Sequence, residues 1–311
     1  MKNKMEVLVG YTGFVGSNLN LQHKFDKVYN SKNISEAYGT NPELLIYAGV
    51  RAEKFLANKD RNKDLNLINE AFENIKKINP KKLILISTID VYKNPVNVNE
   101  DSIIDLDGLH AYGYNRYQLE KKVRREFKDS LILRLPGLYG KNIKKNFIYD
   151  FINIIPSMLT EEKIDELIKD EPQLRNYYLR QDNGFYKCKI LNIEEKAILK
   201  KMFNKVGFTA MNFTDSRGSF QFYNLKYLWR HIEIALENNI YLLNLATEPI
   251  KISELYEYIT GQIFDNEVYN VIPNYNFKSK YSKVLGGNEK YIFNKKFILE
   301  DIKNFIEGES K

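Results

Sequence analysis

The sequence predicts an α/β fold, a doubly wound parallel sheet with a smaller, mainly C-terminal second domain, on three observations. Short apolar runs bounded by polar turns recur with helix-patterned segments between them, the mark of a sheet covered on both faces. The first run passes directly into three glycines at three-residue spacing and then into a helix, VLVGYTGFVGSNL from Val7 to Leu19. At 311 residues the chain is long enough for one large or two closely joined cores.

In chain order, strands are expected at Glu6 to Val9, Lys27 to Asn30, Leu44 to Ala48, Leu83 to Ser87, Leu131 to Leu135 and Tyr241 to Leu245. Helices are expected at Phe14 to Leu21, Arg61 to Ile78, Ala111 to Phe127 and Leu225 to Glu237, with Ser253 as N-cap of a further helix to Thr260. From about Asn153 to Thr214 the alternation breaks, with helical pattern at Glu161 to Lys169 and Ile193 to Phe203, as in an insertion. The domains so predicted are residues 1–152 plus about 215–248, and 153–214 plus 249–311.

The glycine run has a physical reading. Gly10 permits the tight turn off the strand, Gly13 lets backbone amides approach a pyrophosphate, and Gly16 lets the helix pack closely. Phosphates would then rest on the partial positive charge of the helix N-terminus. The first domain is therefore expected to be a Rossmann-type dinucleotide-binding sheet, with its chemistry in the residues that follow each strand.

Composition narrows the classes further. The formal net charge is +7, but lysines are spread among acids and asparagines with no arginine-rich stripe. A nucleic-acid partner is therefore not expected, and a modest positive field suits an anionic small molecule. Cys188 is the only cysteine, and His23, His110 and His231 stand far apart without ligand-like spacing, so no metal is expected. No apolar run approaches the roughly 20 residues that span a bilayer. The opening MKNKMEVLVGYTG is basic then apolar, too short and glycine-broken for a signal sequence, so a cytoplasmic protein without membrane contact is expected.

Three strand ends and one helix start carry informative residues: Ala48-Gly49-Val50-Arg51, Ser87-Thr88-Ile89-Asp90-Val91-Tyr92, the helix start Ala111-Tyr112-Gly113-Tyr114-Asn115-Arg116, and Pro136-Gly137-Leu138-Tyr139-Gly140. Together with the glycine turn they resemble the extended short-chain dehydrogenase/reductase family of nucleotide-sugar epimerases, dehydratases and reductases. Five motifs fall in the family's order, including Arg134 to Gly140, and Arg217-Gly218-Ser219-Phe220 is a sixth, weaker match. The resemblance covers nearly the whole chain except the insertion and the tail after about Asn270.

The resemblance implies an NAD(P)-dependent oxidoreductase acting on a nucleotide-activated sugar, by keto reduction or by epimerisation through a keto intermediate, for surface polysaccharide biosynthesis. Catalysis would fall to Thr88, Tyr112 and Arg116. The tyrosine exchanges a proton with the substrate oxygen, and a cation one helical turn away would pull its pKa toward neutrality. Tyr112 and Arg116 stand at i and i+4, on one helix face. The family's cation is lysine, and arginine cannot release a proton. A literal Tyr-x-x-x-Lys, Tyr117 to Lys121, lies one turn later and stays open; Tyr117 points about 140° away around the helix.

The cofactor would be held by Gly10, Thr12, Gly13, Phe14, Val15, Gly16, Ala48, Gly49, Val50, Tyr112, Arg116, Pro136 and Leu138, with Asn30, Ser31 and Lys32 at the adenosine ribose. There the acid that binds a 2′-hydroxyl is missing and a lysine stands near, which favours NADP over NAD. Arg51, Thr88, Asp90, Tyr139, Asn146 and Arg217 are the expected substrate contacts, with Arg217 on the diphosphate. Family dehydratases carry an acid pair after the threonine; here Ile89 takes the first position, which disfavours dehydration. Pairing through Arg61 to Ile78 and Ala111 to Phe127 would make a homodimer. A catalytically impaired cofactor-binding sensor of the same fold is the alternative that Arg116 raises.

Overall fold

A computed structural model describes residues 5–182 and 184–309. Its elements begin β1 (Glu6–Val9), α1 (Phe14–Gln22), β2 (Lys27–Tyr29), β3 (Leu44–Tyr47), α2 (Lys54–Lys59), α3 (Arg61–Ile78), β4 (Lys82–Thr88), α4 (Ala111–Glu126), β5 (Leu131–Leu135) and β6 (Gly137–Tyr139). They continue α5 (Phe147–Asn153), β7 (Met158–Leu159), α6 (Glu161–Asp170), β8 (Tyr178–Arg180), β9 (Tyr186–Cys188), α7 (Ile193–Lys205), β10 (Ser219–Phe220) and β11 (Phe222–Asn224). The last are α8 (Leu228–Glu237), β12 (Leu242–Asn244), β13 (Ile250–Lys251), α9 (Ile252–Thr260) and α10 (Lys295–Glu309).

The chain divides into two compact units. The first holds the chain up to Ile143 together with Ser219–Ile250 and Asn274–Asp301. Its six-stranded sheet runs β12-β5-β4-β3-β1-β2, all neighbours parallel. The order reverses between β1 and β3, the switch point where such sheets bind ligands. Alternate residues of β1 serve opposite cores: Leu8 packs with Leu19, Ile84, Leu133 and Ile232, while Val7 and Val9 pack with Ile68, Ile75, Leu119 and Val123. Burial of both faces explains why the strands read as unbroken apolar runs rather than alternating ones.

A buried polar knot joins β4, β5 and α4. Arg134 donates from Nε to Glu120 Oε1 (3.0 Å) and from Nη2 to Oε2 (2.6 Å), Ser87 Oγ donates to the same carboxylate (2.6 Å), and Arg134 Nη1 donates to the Tyr92 hydroxyl (2.7 Å). Such a two-pronged guanidinium–carboxylate pair fixes geometry as well as adding energy. Arg134 is 2% and Glu120 0% exposed, so the whole pair is inside the protein and ties the middle of α4 to β5.

The second unit comprises Lys144–Gly218, Lys251–Pro273 and the chain from Ile302. It carries an antiparallel sheet in the order β7-β9-β8 over a core of Ile164, Leu167, Leu174, Leu199 and Phe203. Thr160 caps α6, accepting from Lys163 N (3.2 Å), and α7 opens with a capping box between Asn192 and Glu195.

Several expectations need correction. Residues 274–301, expected in the second domain, pack in the first unit, where Gln221 Nε2 donates to the Phe277 carbonyl (2.8 Å) and Phe277 N–H returns to Gln221 Oε1 (2.9 Å). The helix expected from Leu225 starts as a 3₁₀ turn, Leu225–Tyr227, before α8. Ser253 is not a cap: Lys251 holds that place, and Ser253 N–H bonds the Ser216 carbonyl (2.9 Å). No described helix is long and apolar enough to cross a membrane.

Candidate active site

The glycine turn closes on itself. Gly10 takes φ +93°, its N–H bonding the Tyr29 carbonyl (2.7 Å), and its carbonyl accepts from Gly13 N–H (2.9 Å). A Cβ at Gly10 would lie 2.5 Å from the Ala48 carbonyl oxygen, and one at Gly16 would run into the Gly10 carbonyl. The turn is therefore wedged between the end of β3 and the first turn of α1, with space for backbone alone. No side chain caps α1, so its first-turn N–H groups face outward, as a pyrophosphate requires. At the end of β2, Asn30 Oδ1 accepts from Lys32 N (2.9 Å), a tight polar turn that leaves Ser31 and Lys32 exposed.

At the C-terminal end of β4, Thr88 Oγ1 accepts from Asp90 N (3.1 Å), and its side chain is near enough to the Tyr112 phenol to lower that group's pKa. Tyr112 enters on the first turn of α4, 7% exposed, its N–H held by Asn58 Oδ1 of α2 (2.9 Å). His110 Nδ1 caps the helix by accepting from Gly113 N (3.0 Å). Gly113 lies so close on the Asp90 carbonyl that no Cβ fits. The pair Thr88 and Tyr112 is thus set by backbone contact between a strand end and a helix start.

Arg116 lies beneath this pair, its guanidinium carbon 4.1 Å from the Tyr112 ring centre. It is 5% exposed, donates from Nη1 to Asp64 of α3 and from Nη2 to the Arg51 carbonyl (2.5 Å), and Asn115 Nδ2 donates to the same Asp64 oxygen (2.8 Å). The expected fall of the tyrosine pKa toward neutrality is not found. Burial pushes the Tyr112 phenol above its ordinary value; Arg116 pulls it back, Asp90 adds to the rise, and the Thr88 side chain and Lys54 lower it. Tyr117 packs into the cluster of Ile89, Val91 and Tyr92, with Lys121 Nζ 5.5 Å from its ring centre.

With this geometry in place, solved structures give the comparison. A UDP-N-acetylglucosamine 4-epimerase from Methanobrevibacter ruminantium is similar over 99% of this chain and 98% of its own, with TM-score 0.61 at 14% identity. A dTDP-4-dehydrorhamnose reductase from Bacillus anthracis matches over 98% of both chains (TM-score 0.62, 15% identity), and a UDP-glucose 4-epimerase from Thermotoga maritima over 97% and 98% (0.62, 15%). The chain has the fold of the extended short-chain dehydrogenases/reductases. No family model matches it, and no curated sequence does.

Measured against that family fold, three expected substrate contacts are committed elsewhere. Tyr139 is 0% exposed, its hydroxyl donating to Asp301 (2.7 Å). Asn146 Oδ1 caps α5, accepting from Ile148 N (3.0 Å) and Tyr149 N (3.3 Å). Arg217 spends its fork on Asp215 (Nε to Oδ1 3.0 Å, Nη2 to Oδ2 2.8 Å) and on Glu267 (2.6 Å), so it carries no spare charge for a diphosphate. Asp215 is held well below the usual carboxylate range by Arg217 and by the N–H groups of Tyr269 and Val268.

Asp90, expected at the substrate, is joined by residues that sequence reasoning missed. Lys54 Nζ donates to Asp90 Oδ1 (2.8 Å) and approaches the Tyr275 hydroxyl (3.4 Å), which itself donates to Asp90 Oδ1 (3.2 Å). Lys54 follows β3 by a few residues, so the rule of looking past each strand end covers it; Tyr275, far down the chain, left no such signal.

Proposed function

We propose that the protein is an NAD(P)-dependent oxidoreductase acting on a nucleotide-activated sugar, by keto reduction or by epimerisation through a ketone, in surface polysaccharide synthesis. The observation that carries this reading is the meeting of half-buried Thr88, at the end of β4, with buried Tyr112, on the first turn of α4, beside the same parallel sheet that carries the capless glycine turn. Among the structures of this fold, the Bacillus anthracis reductase was solved with NADP and the Methanobrevibacter ruminantium epimerase with UDP-N-acetylmuramic acid.

The residues fit a dinucleotide: a Cβ-free cradle at Gly10 and Gly16, outward N–H groups on α1, and an exposed lysine without an acid at the end of β2. When bound, the nicotinamide supplies or accepts a hydride at the sugar carbon. Thr88 orients the sugar oxygen by hydrogen bonding. Tyr112 moves the proton at that oxygen, giving it in reduction and taking it in oxidation. We further propose a cytoplasmic homodimer of the kind the family forms, and NADP as the favoured form.

Fluorescence titration with NADPH and NADH, followed by turnover of Tyr112→Phe, tests the assignment. The expected result is cofactor affinity in the micromolar range and loss of turnover with binding intact. Full activity in Tyr112→Phe would sink it. The engagement of Arg116 by Asp64 favours one second reading, a cofactor-binding sensor without turnover. Absence of any hydride transfer to a panel of keto-sugar nucleotides, with tight NADPH binding, would select that reading.

A further inference from the structure

Tyr112 is held at two places. Its backbone N–H is fixed by Asn58 Oδ1 of α2 (2.9 Å), and its ring lies under the Arg116 guanidinium, whose carbon is 4.1 Å from the ring centre. A cation over an aromatic face is attracted by the ring quadrupole, more strongly where water is excluded, and Arg116 is only 5% exposed. What keeps the guanidinium there comes from outside α4. Asp64, in the first turn of α3, accepts from Arg116 Nη1, and the Arg51 carbonyl accepts from Nη2 (2.5 Å). Both ends of the fork are therefore tied.

Asp64 is itself fixed. Asn115 Nδ2 donates to the same Asp64 oxygen (2.8 Å) and to the Arg61 carbonyl (3.1 Å), which binds the start of α3 to α4. The first turn of a helix, where unpaired N–H groups leave a partial positive charge, also favours a carboxylate. Among the described residues, Asp64 is the one carboxylate that Arg116 bonds.

We propose that Asp64 is a positioning residue for Tyr112: from α3 it holds the Arg116 guanidinium over the phenol ring. Its bearing on catalysis rests on the reading of Tyr112 given above.

The balance of charge around the phenol gives this hold a measurable sign. Burial raises the Tyr112 phenol, and Arg116 is the largest influence against that rise; Asp90 adds to the rise, while Thr88 and Lys54 lower it. The remaining titratable neighbour is the His110 ring, 6.3 Å away, whose own pKa is lowered by burial and by Lys54, so it is neutral where a tyrosine titrates. If Asp64 holds the guanidinium in place, its loss lets that charge leave the ring for solvent, and the phenol midpoint rises. By its own field, the removal of a carboxylate can only lower the midpoint. The direction of the shift thus separates a hold on Arg116 from a bare negative charge nearby.

The experiment is a titration of the ligand-free protein carrying ¹³Cζ-tyrosine, with the Tyr112 resonance assigned by its disappearance in Tyr112→Phe. Arg116→Met is expected to raise the Tyr112 midpoint by about one pH unit or more, and Asp64→Asn to raise it by about half as much or more. Asp64→Glu, which restores a carboxylate, should bring it back near that of the unsubstituted protein. An unchanged or lowered midpoint in Asp64→Asn overturns the proposal, as does a rise in Asp64→Glu as large as in Asp64→Asn. Should Asp64→Asn fail to fold, Asn115→Ala decides: it removes a donor to the same Asp64 oxygen but no charge, and a midpoint that does not rise there overturns the proposal. No cofactor or turnover enters the titration. Midpoints that move as expected in a protein that binds no nicotinamide would defeat the functional reading and leave the hold of Asp64 standing; nicotinamide binding with a lowered midpoint in Asp64→Asn would defeat the proposal alone.

Discussion

Pairing Arg116→Met with Asp64→Asn tests whether the cation beneath Tyr112 is spoken for. Both partners are nearly sealed from solvent, Arg116 at 5% and Asp64 at 6% exposure, so the magnitudes of buried rather than surface ion pairs apply. Arg116→Met strands a carboxylate with only Asn115 Nδ2 as donor; Asp64→Asn leaves a guanidinium with only the Arg51 carbonyl as acceptor. Each single change should cost about 3 kcal/mol, because each leaves a buried charge without its counter-charge. The double variant buries no charge and keeps the Asn115 contact, so it should lose less than either single variant, a coupling of about 3 kcal/mol or more. Urea unfolding provides the assay, followed through Trp229, the chain's only tryptophan. It stacks on His23 at 3.7 Å within the first unit, so its emission reports that unit alone. At a slope of about 3 kcal/mol per molar urea, each single variant shifts the midpoint by roughly 1 M. A double variant that loses the sum of the two single losses would show that Asp64 does not hold Arg116, and would return Arg116 to the catalytic role.

Three further outcomes follow. Gly113→Ala should destabilise by about 1–3 kcal/mol and cut turnover, despite alanine's better helix propensity, because its Cβ would drive into the Asp90 carbonyl; a more stable, fully active variant in thermal unfolding and rate assays refutes the close contact. Burial, aided by Arg230, pushes the His231 imidazole down to about 4, and its Nδ1 lies 2.6 Å from the Tyr223 hydroxyl. The unfolded chain then binds the proton first, so stability is full above about pH 6.5 and falls by about 3 kcal/mol as pH drops to about 4. Urea midpoints at pH 7 and pH 4.5 check it, with His231→Gln expected to lose that part of the slope. Lys32→Glu should move cofactor preference from NADPH toward NADH by tenfold or more, the equivalent of about 1.4 kcal/mol, in parallel titrations; an unaltered ratio means the turn at Asn30 does not read the 2′ position.

The central sheet was legible because burial on both faces writes long apolar runs, and the glycine turn because backbone contact leaves no room for side chains at Gly10 and Gly16. Thr88 and Tyr112 were legible for a related reason: both sit within a residue or two of an element boundary that the pattern locates. What the pattern could not reveal was which charges would already be spent. Arg217 and Arg116 look like free cations in one dimension; Asp215 stands only two residues from Arg217, but folding alone brings Glu267 onto Arg217 and Asp64 onto Arg116. The placement of residues 274–301 failed likewise, since the Gln221–Phe277 pairing joins residues far apart in sequence and leaves no periodic trace.

The position of β12 at the edge of the sheet, beside β5, has a consequence for how the chain is made. β5 ends at Leu135, and the strand that covers its open side, Leu242–Asn244, leaves the ribosome roughly a hundred residues later. At about 5–20 residues per second, that edge of unpaired N–H and C=O groups stands uncovered for roughly 5–20 seconds in every nascent copy. Slowing translation within this interval should therefore increase aggregation during synthesis, while the same delay placed after the codons for β12 should not.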